Sequence, residues 1–518
     1  MIAAKRSGRR WALAALGAAA AAALAVALPL GCSREGPPPP AEPPAVTGDV
    51  TAQVHEFCGA CHAYPPADTF PRSAWKGEVE RGYMFFEQSQ RPLLAPPIEA
   101  VVKYYEDRAP LELPLPKLER SPRPFGARFE KTDFPPPVPG RMNISNVNLV
   151  YLTDPRRPDV LACDMGTSAN EGRVMLLRPT DPSPAWRVLA PVSHPGHAEV
   201  VDLDGDGIKD VLVANLGSFE PTDRKSGSVV WLRGRPDGGY TPITLLEGVG
   251  RVADVQAADF RGTGKLDLVV AAFGWNTTGE ILFLENQTTD WSKPKFVKHV
   301  LDDRHGTIHV PVTDLDGDGR PDFVALISQE HETVVAFMNE GGGKFRKQTL
   351  YAASHPGYGS SGIQLVDFNK DGKVDVLYTN GDVLDQPYLL KPYHSIQWLE
   401  NKGGLKFEHH HLATMYGTHR AVAADLDGDG DLDVLAVSFL PEMGFPQRKQ
   451  LDLDAVVILE QTAPGKFVRH VLETGSCDHV SCAAGDLYGT GRNDLVIGTF
   501  GATAAGNPVA IWKNLGKR

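Results

Sequence analysis

Net positive charge is what this sequence most obviously lacks. Lys and Arg number 52 against 64 Asp and Glu, so the formal net charge at pH 7 is -12. This balance argues for cation binding and against a nucleic-acid partner. The chain also lacks a fingerprint for an organic cofactor, and no serine, cysteine or carboxylate constellation indicates a hydrolase.

The acidity is concentrated in short loops of nine residues. In Asp202–Asp210, carboxylates stand at positions 1, 3, 5 and 9, and glycines at positions 4 and 6 allow a tight turn. Oxygen ligands at this spacing predict sites for a hard divalent cation, calcium. Four loops keep the pattern, one of them with an amide, and their predicted ligands are Asp202, Asp204, Asp206, Asp210, Asp314, Asp316, Asp318, Asp322, Asp367, Asn369, Asp371, Asp375, Asp425, Asp427, Asp429 and Asp433.

Three further loops are degenerate copies of this pattern. Arg261 and Thr263 stand at the middle positions of loop 259–267, and the loops 486–494 and 151–159 have also lost ligands. We expect these three to fold without metal. All seven loops begin 51 to 61 residues apart, a period that predicts a repeat architecture.

Short apolar runs flank each loop and indicate β-strands. The runs before the intact loops include Ala198–Val201, Val310–Thr313 and Ala421–Ala424. A third strand follows in each unit, and then a fourth that is marked by a Phe, as at Phe296 and Phe345. Four strands in each of seven repeats predict an all-β seven-bladed β-propeller.

These loops and strands resemble the FG-GAP/VCBS repeats of integrin-alpha-like propellers over residues 125–518. The resemblance implies calcium in the turn between the first and second strands of a blade, at about four sites. It implies no single activity.

The first 32 residues resemble a bacterial export signal. Trp11–Leu30 is an apolar run, and it ends before Cys32 in a lipobox-like sequence where Pro29 replaces the usual Leu. We expect lipidation at Cys32, with residues 33–46 as a Pro-rich tether. An uncleaved membrane anchor is the alternative.

Cys58-Gly59-Ala60-Cys61-His62 predicts covalent attachment of one haem c. Two thiols at this spacing can each form a thioether to a haem vinyl group, and His62 can ligate the iron. The flanking segment has no second Cys/His pair to complete a zinc shell. Helical patterns surround the motif, so residues 47–109 resemble a small all-α class I cytochrome c domain.

The sixth iron ligand has two candidates. Met84 is the only Met of this domain, and a thioether opposite His62 would raise the haem potential. However, Met84 points away from the apolar stripe of its own helix, which includes Trp75 and Val79. His55 is the other candidate, although it lies only three residues before Cys58.

Residues 110–124 form a second Pro-rich linker before the propeller. Residues 127–134 resemble the fourth strands of the repeats, whereas Pro508–Asn514 reads as a third strand with no fourth after it. We therefore expect 127–134 to supply the closing strand of blade seven, because closure removes the open sheet edges.

The face opposite the calcium loops is rich in histidine. Its candidate site residues are His194, His197, Asp254, His309, His355, His419, Arg420 and His479. Such a mouth could hold a transition metal, an anionic ligand or the exposed edge of the haem domain. The alternative is an ordinary wet, polar channel mouth. A disulfide between Cys477 and Cys482 is feasible after export, with Cys163 as a competing partner.

Together these features predict an envelope-anchored c-type haem electron-transfer protein of the periplasm or outer membrane, rather than an enzyme. Its calcium-stabilised propeller would dock a redox partner protein or a surface ligand such as a polysaccharide. A second hypothesis is a haem-linked oxidoreductase with a His-lined metal or substrate site at the propeller mouth. A third is a redox-sensing adhesion or carbohydrate-binding module.

Overall fold

The computed structural model describes residues 50–385, 387–502 and 507–518, and these belong to one compact unit. The predicted export segment, the lipidation site Cys32 and the tether 33–46 lie outside the described residues.

Three helices form a small module at the start of the described chain. They are α1 (Thr51–Cys58), α2 (Trp75–Ser89) and α3 (Ile98–Arg108), with two 3₁₀ turns at Ala67–Thr69 and Arg72–Ala74. Helix α3 begins after Pro97, whose restricted φ suits a helix start. The module's core contains Val54, Trp75, Val101 and Tyr105, one or more from each helix. None of the helices in the described ranges is long and apolar enough to cross a membrane.

The rest of the regular structure described is β-strand. The strands are β1 (Ala127–Phe134), β2 (Met142–Val150), β3 (Asp159–Asp164), β4 (Gly172–Leu177), β5 (Arg187–Val192), β6 (Pro195–Val201), β7 (Asp210–Asn215), β8 (Gly227–Gly234), β9 (Tyr240–Val249), β10 (Val252–Ala258), β11 (Asp267–Ala272), β12 (Glu280–Asn286), β13 (Phe296–Asp302), β14 (Thr307–His309), β15 (Val312–Thr313), β16 (Asp322–Ile327), β17 (Thr333–Gly341), β18 (Lys344–Ala352), β19 (Ser360–Val366), β20 (Asp375–Asn380), β21 (Ser395–Asn401), β22 (Phe407–Thr414), β23 (Thr418–Ala424), β24 (Asp433–Ser438), β25 (Asp454–Ala463), β26 (Lys466–Thr474), β27 (His479–Gly485), β28 (Asp494–Ala502) and β29 (Val509–Lys517).

These strands form six antiparallel sheets. Four sheets have four strands each, in the orders β6–β7–β8–β9, β10–β11–β12–β13, β19–β20–β21–β22 and β23–β24–β25–β26. A fifth contains β14, β15, β16, β17 and β18, and the sixth has eight strands in the order β1–β29–β28–β2–β3–β4–β5, with β27 also paired to β28. Consecutive strands of the repeat are thus hydrogen-bonded neighbours, as the sequence predicts, and the chain has a β-propeller-like fold.

The second strand of each repeat is the most buried. All six residues of β7, and likewise of β11, β16, β20 and β24, are buried. Such uninterrupted burial is typical of strands that are covered on both faces. The cores lie between neighbouring sheets: Leu212 and Trp231 of one sheet share a cluster with Leu268 and Leu282 of the next.

One predicted first strand is interrupted. The run Val310–Thr313 does not form a continuous strand, because Pro311 has no N–H to donate to the ladder. The structure divides this edge into β14, which pairs at His309, and β15, which pairs at Val312.

The first and last strands of the β region are neighbours. Strand β1 pairs antiparallel with β29, with Phe134 opposite Val509 and Phe129 opposite Asn514. Strand β2 continues the same sheet on the other side, where Asn143 lies opposite Phe500 of β28.

The Pro-rich segment 110–124 is held against the β region. The Tyr416 hydroxyl donates to the Pro116 carbonyl at 2.8 Å, and Arg120 Nη2 lies 2.6 Å from the buried Asp454 carboxylate. The helical module is therefore joined to the propeller-like region by an attached segment of chain.

The three cysteines of the β region do not form a disulfide. Cys163, Cys477 and Cys482 are buried free thiols, and each packs in a different hydrophobic cluster. The pairing of Cys477 with Cys482 that the sequence left feasible does not form. Cys482 packs in the core from inside β27, whereas Cys477 precedes that strand and packs with Leu440, Phe445 and Leu453.

Candidate functional site

The CxxCH sequence occupies the turn that ends α1. Cys58 is the last residue of the helix and is partly buried, whereas Cys61 is exposed. His62 is partly buried, and its Nδ1 lies 2.8 Å from the Ala63 carbonyl oxygen. This arrangement leaves His62 Nε2 as the nitrogen available to a metal.

Aromatic side chains line the inner side of this turn. Burial raises the pKa of the Cys58 thiol, and Tyr105 lies beside it. The Tyr105 ring stacks on Trp75 with 3.8 Å between centroids. Phe57 packs against Phe86 of α2 at 4.9 Å. The motif therefore lies at the edge of an apolar, aromatic core.

An apolar surface is exposed next to the motif. Four large apolar side chains of the module have exposed fractions of 37–97%: Met84, Phe85, Leu93 and Leu94. Arg91 Nη1 donates to the Ala60 carbonyl at 3.0 Å, which holds this segment beside the CxxCH turn. A patch of this kind in a small module is typical of a surface that another apolar group covers. The residues present thus fit a haem.

The two candidate sixth ligands differ in their surroundings. His55 Nε2 lies 3.0 Å from the Tyr104 hydroxyl, and its ring stacks on Tyr64 at 4.0 Å. Met84 is 45% exposed and belongs to the apolar patch. His55 is exposed as well, but its Nε2 is already hydrogen-bonded to Tyr104.

The helical module packs against the β region. A Cβ at Gly357 would lie 2.7 Å from Phe70 Cζ, so the ring sits directly on this glycine. The Tyr393 hydroxyl donates to the Thr69 carbonyl at 3.4 Å, and Lys391 Nζ is 6.0 Å from the Phe70 ring centroid.

The sequence suggested the edge of the haem domain as one possible occupant of this face, but it did not indicate the residues of this contact. Gly357 ends a Ser-His-Pro-Gly sequence that repeats residues 193–196. That repetition was the available signal, but it does not reveal which copy receives an aromatic ring. Gly357 lies between β18 and β19, and Tyr393 lies between β20 and β21, so the module contacts the face opposite the acidic loops.

Carboxylates converge in three of the four predicted calcium loops. Carboxylate oxygens lie within 4.8 Å of one another in the groups Asp202–Asp204–Asp206, Asp314–Asp316–Asp322 and Asp425–Asp427–Asp433. In the first group Asp202 Oδ1 is buried without a hydrogen-bond donor. A buried, unpaired carboxylate oxygen among other carboxylates fits a bound cation.

The fourth loop is arranged differently. Asn369 Nδ2 donates to Glu400 at 3.1 Å, and the Asp371 carboxylate lies 2.5 Å from Lys373 Nζ. Its first residue, Asp367, accepts the Gly372 N–H at 2.9 Å, as the first Asp does in the other loops.

The aspartate at position 9 has a second role that the spacing did not reveal. The Asp210 carboxylate accepts the backbone N–H of Leu203 at 2.9 Å and of Gly234 at 2.7 Å. It thereby ties the loop to the third strand. The same pair of bonds recurs at Asp322, Asp375, Asp433 and Asp494.

One degenerate loop carries its own cation. Arg261 replaces the aspartate at position 3, and its Nε donates to Asp267 at 3.1 Å. Its Nη1 donates to Glu285 at 2.9 Å and its Nη2 donates to the Asn286 carbonyl at 2.8 Å. The guanidinium thus neutralises the carboxylates of this loop.

Four of the predicted mouth residues form one chain of contacts, in which Asp254 is buried and the other three are partly buried. His197 Nδ1 lies 2.8 Å from Asp254 Oδ1, and its Nε2 lies 3.2 Å from Glu199 Oε1. His309 Nδ1 is 3.8 Å from Asp254 Oδ2. Arg420 Nη1 lies 3.2 Å from His309 Nε2. Asp254 is therefore shared between two histidines, and Arg420 completes the row.

The two histidines of this row differ in charge. Burial opposes protonation of His197, but the Asp254 carboxylate outweighs it and raises the His197 pKa to about 10. Burial lowers the pKa of His309 to about 4, and the Arg420 charge adds to this effect. A neutral His309 can accept a hydrogen bond from Arg420, while a charged His197 forms ion pairs with the Asp254 and Glu199 carboxylates.

A glycine leaves the space for this row. Gly362 occupies the equivalent position in the sheet between those of His309 and Arg420. A Cβ there would lie 3.0 Å from Thr379 Oγ1 and 3.3 Å from Arg420 Cδ. Its absence lets Arg420 reach across to His309.

The remaining predicted mouth histidines do not join the row: His194, His355, His419 and His479. His194 Nε2 lies 3.3 Å from the Thr167 carbonyl oxygen, and the His355 ring centroid lies 4.7 Å from that of Tyr393. His419 Nδ1 lies 2.9 Å from the Val480 carbonyl oxygen, and His479 Nε2 lies 3.3 Å from the Glu473 carboxylate. The structure thus divides the predicted ring into one central network and separate, individually bonded side chains.

Comparison with known proteins identifies the repeats. The FG-GAP-like repeat family matches residues 202–270, 314–378 and 380–436, which confirms this part of the predicted resemblance. Cartilage acidic protein 1 of Mus musculus is 23% identical over 248 residues, equal to 45% of this chain, and the chain spans only 37% of that relative's length. The crystal structure of BBS1N in complex with ARL6DN, soaked with mercury, covers 76% of this chain and 98% of that chain, with 11% identity and a TM-score of 0.43.

Proposed function

We propose that this FG-GAP-repeat chain is an electron-transfer protein of the bacterial cell envelope. In this proposal the helical module carries one c-type haem, and the β region is a rigid platform for a redox partner protein. The lipid anchor at Cys32 would hold the chain at the membrane surface.

The CxxCH turn beside an exposed apolar patch is the observation that carries this proposal. Cys61 is exposed at the end of a helix whose inner side is aromatic. Met84 and Leu94 are 45% and 97% exposed nearby. A group of exposed large apolar side chains on one small module is typical of a surface that a ligand or partner covers.

The module's own residues have distinct roles in this proposal. Cys58 and Cys61 would form the two thioethers, and His62 would be the proximal ligand. A bound haem supplies one-electron redox chemistry. Phe57 and Tyr105 would exclude water from one side, and Met84 would be the sixth ligand.

The finer form of the β region is also part of the proposal. Six sheets contain 29 strands, and the eight-stranded sheet consists of β27–β28–β29–β1 and β2–β3–β4–β5 joined through β2 and β28. Counting these as separate blades gives the seven-bladed propeller that the repeat period predicts. Calcium in the intact acidic loops would stabilise the platform.

A spectroscopic experiment tests the haem. The full chain is matured in a periplasm that attaches c-type haem, and its spectrum is recorded after denaturation in acid and organic solvent. We expect one haem per chain to stay attached in the wild type, and attachment to be lost when both thiols are removed by Cys58→Ala and Cys61→Ala. Cys163→Ala is the matched control, because that thiol is buried in the β region. Wild-type chain without a Soret band would refute the proposal.

A redox titration tests the sixth ligand. Replacing Met84 by Ala should lower the midpoint potential by a value of the order of 0.1 V, since axial ligands set the potential within a range of about 0.8 V. Met443, which is 83% exposed in the β region, provides the control Met443→Ala. Equal potentials in both variants would mean that Met84 is not a ligand.

A further inference from the structure

Two histidines and a glutamate converge at a place outside the sites described so far. His305 lies between β13 and β14, and Glu330 and His331 lie between β16 and β17. His305 Nε2 is 3.0 Å from Glu330 Oε2, and His331 Nε2 is 3.7 Å from Glu330 Oε1. One donor atom from each of the three side chains lies within 4.8 Å of the other two.

The three donors have no competing cation. Within the described ranges Glu330 forms ion pairs with these two histidines alone. The adjacent Arg304 is engaged by Asp302, with Nε to Oδ1 and Nη2 to Oδ2 both at 2.9 Å. His331 Nε2 is buried and has no hydrogen-bond partner. A buried, unsatisfied imidazole nitrogen next to a carboxylate is a donor atom ready for a ligand.

The turn that presents Glu330 and His331 is fixed at both ends. Gln329 and Glu332 have φ of 57° and 43°, which is the left-handed region that side chains other than Gly seldom occupy. The buried Glu332 carboxylate accepts the Gly359 N–H at 2.9 Å. These restraints orient the two donors before any ligand arrives.

We propose that His305, Glu330 and His331 bind a divalent transition metal ion such as zinc. Two imidazole nitrogens and one carboxylate oxygen are a ligand set for zinc, copper or iron, whereas calcium takes oxygen ligands. Donors about 2.0–2.1 Å from a tetrahedral metal lie about 3.3 Å apart. The two histidine nitrogens lie 3.0 and 3.7 Å from the two different oxygens of the Glu330 carboxylate.

The three side chains are partly exposed and lie on the face that the helical module contacts. The side chains of His305 and His331 are 17% and 19% exposed and that of Glu330 is 37% exposed, so coordination positions remain for water or an external ligand. Through Glu332 the turn is bonded to Gly359, two residues from the glycine under Phe70. The metal site therefore lies on the same face as the helical module. It would add metal binding to the electron transfer that we propose for the haem.

A second histidine–carboxylate cluster provides a matched control. Donor atoms of Glu400, Glu408 and His410 also converge, but Lys402 Nζ lies 2.8 Å from Glu400 and 3.4 Å from Glu408. This cluster already holds a cation of the protein itself. It does not bind the metal.

Calorimetric titration of the full chain with Zn(II), in saturating calcium to fill the oxygen-only loops, tests the site. The wild type binds one zinc ion at this site. Affinity falls more than about tenfold in His305→Ala, His331→Ala and Glu330→Gln, because changes even to residues outside the metal's own ligands cost 10- to 100-fold. The variant His410→Ala binds as the wild type does.

Two results would overturn the proposal. One is a wild-type chain without saturable zinc binding, and the other is an affinity that is lower in His410→Ala but unchanged in the three site variants. If the variants fold poorly, Cu(II) electron paramagnetic resonance of the wild type decides: coupling to two nitrogens supports the site, and coupling to none or one refutes it.

Discussion

The aspartates at position 9 of the acidic loops are bonded to backbone amides whether or not their loops keep the other carboxylates. Asp494 accepts the N–H groups of Leu487 and Asn514 at 3.0 and 2.7 Å, although its loop has Tyr488 and Thr490 at the middle positions. In this loop the last Asp therefore has a structural role without metal, because it satisfies two buried donors.

Asp494→Ala should therefore destabilise the protein independently of calcium. We expect a loss of about 1–3 kcal/mol for each amide left without an acceptor, seen as the same drop of the urea midpoint with calcium and with chelator. Asp206→Ala is the contrast, because that exposed carboxylate should matter mainly when calcium is present. A calcium-dependent effect of Asp494→Ala would contradict this division of roles.

The His197–Asp254 ion pair predicts a pH dependence. The His197 pKa is raised to about 10 from an ordinary value of 6.5, so the pair's contribution to stability is fully present below pH 6.5 and is lost as the pH rises toward 10. We expect His197→Gln to flatten the fall of the denaturation midpoint over this interval.

The control for that experiment is His299→Gln, at a side chain that is 47% exposed. In this variant the denaturation midpoint should fall with pH as steeply as in the wild type. If the denaturation midpoint of His197→Gln falls with pH as steeply as that of the wild type, His197 is not the group whose deprotonation destabilises the protein.

At the scale of the repeat element, clustered carboxylates repel one another unless a positive charge neutralises them. Arg261 performs this in the loop 259–267 through Asp267, Glu285 and the Asn286 carbonyl. The sequence predicted that this loop folds without metal. It could not predict the guanidinium's partners, because Glu285 lies 24 residues away on another strand.

Restoring the acidic pattern should convert this loop into a calcium site. In the double variant Arg261→Asp/Thr263→Asp, four carboxylates return to positions 1, 3, 5 and 9. We expect one more calcium per chain by equilibrium dialysis, and a protein that is less stable than wild type in chelator. At a free calcium concentration 100 times the dissociation constant, binding should restore about 2.7 kcal/mol. Unchanged calcium stoichiometry would contradict the role assigned to Arg261.

The strands of the structure coincide with the apolar runs of the sequence, with one exception. The second strands of the repeats, such as Asp322–Ile327, coincide with runs that the sequence marks clearly, because both faces are covered. The first strand at Val310–Thr313 is divided, because Pro311 cannot donate to its neighbour.

At the scale of the whole molecule, a strand that precedes the repeats lies beside the last strand of the chain. Strand β1 contributes Phe134 to the cluster that contains Val509 and Ile511. Ala127 and the preceding Phe125 pack into the adjacent cluster. Without β1, the edge of β29 and parts of two cores would be exposed.

Two truncations distinguish the contribution of the helical module from that of strand β1. Removal of residues 1–119 keeps Arg120 and β1, and should leave a monomeric protein with a calcium-dependent melting transition. Removal of residues 1–134 should give aggregated material, because β29 then offers unpaired backbone groups. Size-exclusion chromatography and thermal melting measure both outcomes. A longer truncation that stays monomeric and melts like the shorter one would show that β1 is dispensable.

The sequence by itself determined the features that are encoded within a few neighbouring residues. The acidic nonapeptides, their period and the β-rich repeats follow from local spacing, because a loop of nine residues and a strand of six form most of their contacts with close neighbours in the chain. The CxxCH motif is equally local, since one turn of chain holds all three side chains.

Only the tertiary structure decided which distant groups meet. Asp254 and His309 are 55 residues apart in the chain, and Arg420 reaches His309 from 111 residues away because Gly362 leaves room between them. The sequence predicted one site at the mouth with eight residues. In the structure four of these residues contact one another, and the other four have separate partners. Packing also placed Phe70 on Gly357 and assembled His305 with Glu330 and His331. Such contacts depend on how whole sheets pack against one another, which local spacing does not specify.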